Sequence, residues 1–234
     1  MQDTRWTQCI DQLYDAVGRE AELSQALGDF RPFFDARGVT YLTVADPRRP
    51  ATAHIGSVGV DQASLVEYHS HFAAHDEWVL AAHRRADLGV GTVHRGSELV
   101  RRADLRRSYF WREFLSRYGV ADILSVVVEM AQGDGPTTFL TFQRHADQPP
   151  YGPGDARQLA LLAPHFRNVL RLHRRLAPAL ALGATLDQLV HTLDLPVLFI
   201  GADGGVADAN TAGRQALAQA DGWVRQHAGQ LQVR

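Results

Sequence analysis

The stretches Asp122-Ile-Leu-Ser-Val-Val-Val-Glu-Met130 and Thr137-Thr-Phe-Leu-Thr-Phe-Gln-Arg144 decide the fold reading. Both are rich in β-branched and aromatic residues, which fit a pleated, half-buried surface. The turn Gly133-Asp-Gly-Pro136 joins them, so they predict two strands. Side chains alternate across a strand. One alternating set is aliphatic or large: Leu124, Val126, Val128, Leu140 and Phe142. The opposite set is mixed: Ile123, Ser125 and Val127, then Phe139 and Thr141.

Gly38-Val-Thr-Tyr-Leu-Thr-Val-Ala45 reads as a third strand, closed by Asp46-Pro47, with Ala51–Ser57 as its hairpin partner. Here Leu42 and Val44 go with the plain set, Tyr41 and Thr43 with the mixed one. A solvated face would carry more charge, and a packed one has little need of Thr, Ser and Tyr together. The mixed face therefore predicts a pocket lined by apolar bodies with a few orienting polar groups. Tyr41, Thr43, Ser125, Phe139 and Thr141 are its expected sheet residues.

Helical spacing surrounds these strands. Trp6, Cys9, Ile10, Leu13 and Val17 predict one or two amphipathic helices over residues 4–30, ended near Gly28 and Pro32. Leu65, Tyr68, Phe72 and Val79 place a helix over 61–85. Another runs over 104–118, with Phe110/Phe114 and Trp111/Leu115 as i,i+4 pairs. Asp155 and Gln158 form a possible capping box for a long helix. Along it Leu159, Leu162, Phe166, Val169, His173, Leu176 and Leu180 alternate spacings of three and four. Such a seam fits packing on the sheet, on a second copy, or both. A homodimer through Leu159, Leu162, Phe166, Val169 and Leu176 is the expectation, with a kink at Pro164 and a break at Pro178. A connecting helix over 179–194 precedes Leu195–Asn210, which reads strand, Asp-Gly turn, strand and helix start.

The formal net charge is −2, which gives no global attraction to nucleic acid or an anionic membrane. The basic residues are all arginine, and Cys9 is the single cysteine, leaving no disulfide framework. No signal-peptide pattern and no membrane span is read, so a cytoplasmic location is expected. Without lysine a phosphate-binding Walker loop is excluded, and no nucleophile elbow is present. The chain reads as a non-enzyme without a cofactor. The arginines between Arg95 and Arg117 are interleaved with Glu98, Asp104 and Glu113, as on a solvated, salt-bridged face. His71 and His75 stand four apart, a spacing that can present two imidazoles to a metal.

The order of strands and helices is that of a GAF-like sensor domain. Three segments resemble the N-terminal sensor of LuxR-type transcription regulators, including lactone-binding ones: Tyr68-His-Ser-His-Phe-Ala-Ala-His-Asp-Glu-Trp78, Ser108-Tyr-Phe-Trp-Arg-Glu-Phe-Leu115, and the run from Leu161 to Leu176. Pro196–Asn210 resembles the opening of a PAS domain. The resemblance implies an α/β fold with an antiparallel sheet and helices on both faces. It also implies a GAF-like domain over 1–178, whose long signalling helix covers about 155–178, and an incomplete PAS-like unit over 195–234. The DNA-binding helix-turn-helix would lie outside this sequence. The resemblance implies ligand contacts for Tyr68, Asp76 and the run Phe110-Trp111; from the residues themselves, Trp78 beside Asp76 and the aromatics Phe72 and Phe114 are expected to join them at the pocket. Two departures stand out: the relatives carry Asp-Pro where this chain has Asp76-Glu77, and their second Trp falls near His94. The expected function is sensing of an apolar or aromatic small molecule. The alternatives are a haem- or metal-dependent redox sensor using His71 and His75, and a ligand-free interaction module.

Overall fold

A computed structural model describes residues 2–45, 52–131, 136–202, 204–218, 224–227 and 230–233. The chain divides into two compact units, Met1–Ala177 and Pro178–Arg234. Gly133–Gly135 of the expected turn, Asp46-Pro47, Ala51 and Asp203 lie outside the described residues.

The first unit opens with helices α1 (Gln2–Asp15) and α2 (Glu20–Gly28), a 3-10 turn at Arg31–Phe34, and the hairpin β1 (Gly38–Val44) and β2 (Thr52–Val58). A broken helical stretch follows: α3 (Gln62–Glu67), a π-helical turn Tyr68–Phe72, a 3-10 turn Ala73–His75 and α4 (Glu77–His83). Next come β3 (Val93–Arg95), α5 (Gly96–Leu99), α6 (Arg102–Leu105), a second π turn Trp111–Leu115 and α7 (Ser116–Tyr118). The unit ends with β4 (Val120–Met130), β5 (Thr137–His145) and α8 (Pro153–His191), whose last residues belong to the second unit. The helices expected over 61–85 and 104–118 are thus each divided. Asp76 interrupts the first by capping a new helix, and π turns widen both.

The five strands form one antiparallel sheet in the order β2-β1-β5-β4-β3. Helices cover both faces. On one, Val39, Tyr41, Leu124, Val126, Leu140 and Phe142 pack against Leu13 of α1, Leu23 and Leu27 of α2, and Leu159, Leu162, Phe166 and Val169 of α8. Those four α8 residues are 0% exposed inside this core. They cannot also pair with a second copy, so the expected dimer seam is corrected: the sheet occupies it. Leu176, its last member, is 46% exposed. The polar member, His173, is buried, and its Nδ1 accepts the Gly18 N–H at 3.2 Å. Burial lowers its pKa, disfavouring the charged ring.

Arg144, at the end of β5, fixes the entry to α8. Its guanidinium lies 3.9 Å from the Tyr151 ring centroid, and its Nε and Nη2 donate to the Phe34 carbonyl at 3.1 and 2.8 Å. Nη2 also reaches Asp155 Oδ1 at 3.3 Å. Asp155 is the third residue of the helix and its Oδ2 accepts the Gly152 N–H at 2.7 Å, so it caps from inside the first turn and not as the N-cap paired with Gln158. The helix begins two residues earlier at Pro153, where a fixed φ and a missing N–H cost nothing. Neither Pro164 nor Pro178 ends α8, which continues through both. At Pro164 the burial of Leu162, Ala163 and Phe166 offsets the lost backbone bond.

In the second unit β6 (Leu198–Ile200) pairs antiparallel with β7 (Val206–Ala209), α9 spans Thr211–Ala218, and β8 (Val224–His227) pairs with β9 (Gln230–Val233). Asn210, 0% exposed, holds its first elements together. Oδ1 accepts from the N–H groups of Val197 and Gly213, at 3.0 and 2.7 Å. Nδ2 donates to the carbonyls of Val190, Leu193 and Leu195.

Candidate functional site

The second face of the sheet carries Thr40, Leu42, Ser125, Phe139 and Thr141, and a cavity of about 110 Å³ lies between this face and the middle helices. Strand pairing sets its floor. Thr40 stands opposite Thr141, Thr141 opposite Ser125, and Ser125 opposite His94. One polar row thus crosses β1, β5, β4 and β3, because directly opposed residues share a face. The neighbouring row is apolar, with Leu42 opposite Phe139 and Phe139 opposite Val127. Within the polar row the Ser125 and Thr141 hydroxyls are 2.9 Å apart. His94 Nε2 lies 3.3 Å from Thr92 Oγ1, and burial, followed by Arg85, pushes the His94 pKa down.

The roof centres on Asp76, which is 7% exposed. Its Oδ1 accepts the N–H groups of Trp78 and Val79 at 2.9 and 3.1 Å, capping α4. Its Oδ2 accepts the Tyr68 hydroxyl at 2.9 Å. Burial outweighs these bonds and raises the carboxyl to about 6, and it pushes the Tyr68 phenol well up too. Trp78, Phe110 and Phe114 wall the space, the two phenylalanines stacked with centroids 5.4 Å apart. At its edge Glu67 accepts from Tyr118 at 2.6 Å and from Arg117 at 2.8 Å, tying α3 to α7.

Among the residues singled out in the sequence, Tyr68, Asp76, Trp78, Phe110, Phe114, Ser125, Phe139 and Thr141 line this cavity. Four others are placed elsewhere. Tyr41 and Thr43 point to the opposite face: β1 pairs Tyr41 with Leu140 and Thr43 with Thr138, so Thr40 and Leu42 look into the cavity instead. The strand is one residue out of the expected parity, which flips every side chain. Tyr41 sits in the α8-side core at 2% exposure, its hydroxyl buried without a partner among the described residues. Thr43 Oγ1 meets Thr138 Oγ1 at 2.9 Å. Phe72 lies in the helical cluster beside Phe114, their centroids 4.9 Å apart. Trp111 is half-buried under the Arg106 guanidinium, 5.7 Å from its ring.

Thr40, Leu42, His94 and Gln143 also line the cavity and were not foreseen. Thr40, Leu42 and Gln143 follow from correct strand pairing, whereas His94 sits on a strand of three residues that leaves no periodic signal. His71 and His75 are exposed, with ring centroids 5.8 Å apart, and His71 Nε2 is 2.8 Å from the Tyr109 hydroxyl. Among the described residues no group of three or more His, Cys, Asp or Glu is placed to hold a metal ion. No helix there is long and apolar enough to cross a membrane.

No protein-family profile and no curated protein matches the chain. Solved structures do resemble it. The LBD domain of VqsR from Pseudomonas aeruginosa superposes with a TM-score of 0.57 at 16% identity, covering 73% of this chain and 97% of that one. Escherichia coli SdiA matches with a TM-score of 0.52 at 16% identity, over 74% of this chain and 68% of that one. CepR2 from Burkholderia cenocepacia, an N-acylhomoserine lactone dependent LuxR family transcription factor, gives a TM-score of 0.50 at 15% identity, over 76% and 97%. At these identities the likeness establishes the fold: an antiparallel sheet between helical layers, as in LuxR-type sensor domains.

Proposed function

We propose that residues 1–177 form a small-molecule sensing domain of a LuxR-type, DNA-binding transcription regulator, and that the second unit begins a PAS-like domain. The observation that carries the sensing role is the cavity on the second sheet face, with apolar walls, one polar row and a buried carboxylate opposite. A packed core has no use for that combination, and a ligand site is built from it. The fold shared with VqsR, SdiA and CepR2 supports the same reading. The ligand would bind between sheet and middle helices, contacting Tyr68, Asp76, Trp78, Phe110, Phe114, Ser125, Phe139 and Thr141. Ligand burial would favour one packing of these helices on the sheet and bias the state passed to the DNA-binding part. The role is binding rather than catalysis.

The test is a thermal-shift screen of a broad small-molecule library on the full chain and on Ala82→Leu. Ala82 lines the cavity and is 2% exposed, so the larger side chain fills the space. A ligand selective for the folded state adds about 2.7 kcal/mol at 100 times its Kd. Hits should stabilise the native chain and leave Ala82→Leu unmoved. Hits that stabilise both alike, or a library without hits, would end the sensing reading.

A further inference from the structure

Outside the cavity, His71, His75 and Tyr109 form a second cluster of groups able to bind a ligand. All three are exposed, Tyr109 by 42%. Their rings make a triangle. The His71 and His75 centroids are 5.8 Å apart, those of His75 and Tyr109 5.0 Å, and those of His71 and Tyr109 6.1 Å. His71 Nε2 stands 2.8 Å from the Tyr109 hydroxyl oxygen.

The backbone accounts for this meeting. His71 belongs to the π turn Tyr68–Phe72 and His75 to the 3-10 turn that follows it. Four residues apart, they occupy neighbouring positions on one helical surface. Tyr109 comes from the other roof stretch, immediately before Phe110 of the cavity wall. The cluster therefore spans both helical stretches that cover the sheet.

Its dimensions suit a metal ion. Metal–imidazole bonds are roughly 2 Å long, so two imidazoles on one ion have ring centres about 5–6 Å apart. Two donors at that bond length and a right angle are about 2.8 Å from each other. Both spacings are met here. Two imidazoles and a phenol oxygen make a nitrogen and oxygen donor set, which copper(II) takes in tetragonal geometry. Affinity at such sites rises along the first-row divalent ions to copper and falls again at zinc. Cys9, the single cysteine, is buried in the core on the opposite sheet face, so no thiolate joins the set.

We propose that His71, His75 and Tyr109 bind a copper(II) ion at the surface and that the ion ties together the two helical stretches roofing the cavity. As it binds, the Tyr109 O–H bond breaks, the proton passes to solvent and the oxygen bonds the metal, with no electron transferred. Calorimetric titration of the full chain at neutral pH with copper(II) chloride and with zinc chloride should show one copper per chain, held more tightly than zinc. Loss of even an outer partner of a metal ligand costs roughly 10–100-fold in affinity, so His71→Ala and His75→Ala should each weaken copper at least tenfold. Tyr109→Phe should abolish the visible phenolate-to-copper absorption. All three side chains are exposed, so with the metal chelated these variants should unfold in urea as the native chain does. His165→Ala, at the separate His165–Tyr14 pair, should leave copper binding unchanged. Copper affinity that survives either change at His71 or His75 would place the ion elsewhere and overturn the proposal. A phenolate band that survives Tyr109→Phe would remove the tie between the stretches. A chain that takes up no copper, or prefers zinc, would overturn the assignment of the ion.

Discussion

Tyr41→Phe should make the protein more stable. The ring is 2% exposed among Val39, Leu140 and the α8 side chains, and its hydroxyl is buried with no hydrogen-bond partner among the described residues. Burial raises the phenol's pKa, the expected response of a group stripped of water. Leaving such a donor unpaired costs about 1–3 kcal/mol. Phenylalanine removes the oxygen and keeps the ring, so no sizeable cavity opens and the packing contacts remain. The expected gain is about 1 kcal/mol, or roughly 2–4 °C in Tm for a chain of this size. Urea unfolding followed by tryptophan fluorescence should show a higher midpoint and an unchanged m-value. Because Tyr41 faces away from the cavity, ligand affinity should not change. A midpoint lowered by the equivalent of 1 kcal/mol would mean that the hydroxyl has a partner. A tenfold loss of ligand binding would mean that β1 presents the other parity.

Two further outcomes are expected. Asp76 has a folded pKa of about 6 against 3.8 for the free side chain, so the folded state holds the extra proton between these values. Its contribution is present below pH 4 and lost as pH rises through 6, up to about 3 kcal/mol at ~1.4 kcal/mol per unit. Urea midpoints of the native chain and Asp76→Asn across pH 4–7 should converge at the acid end, and parallel profiles would contradict the burial of the carboxylate. Leu162→Ala, at a site 0% exposed, should cost about 2–5 kcal/mol. That loss should be the same at low and high protein concentration, whereas a loss that grows on dilution would return Leu162 to a subunit interface.

Much of this molecule is written in local pattern. The alternation in β4 and β5 identified the cavity face of both strands, since Ser125, Phe139 and Thr141 lie on it and Leu124, Val126 and Leu140 on the other. In β1 every position from Val39 to Val44 is apolar or Thr, so composition gives no parity, and pairing with β5 settles it. The α8 seam shows the same limit. A 3–4 repeat specifies that something apolar lies alongside, and only the tertiary structure reveals a sheet instead of a second helix. The aromatic roof residues were readable as a group. Which of them form its inner layer depends on two π turns, and no sequence period reports those.

The polar row and the α8-side core share no side chain, although both are built on the same strands. Thr40, His94, Ser125 or Thr141 can therefore be exchanged without disturbing the framework that makes the chain fold. The architecture and the lining of the cavity can thus vary separately, because they are carried by opposite faces of the same strands.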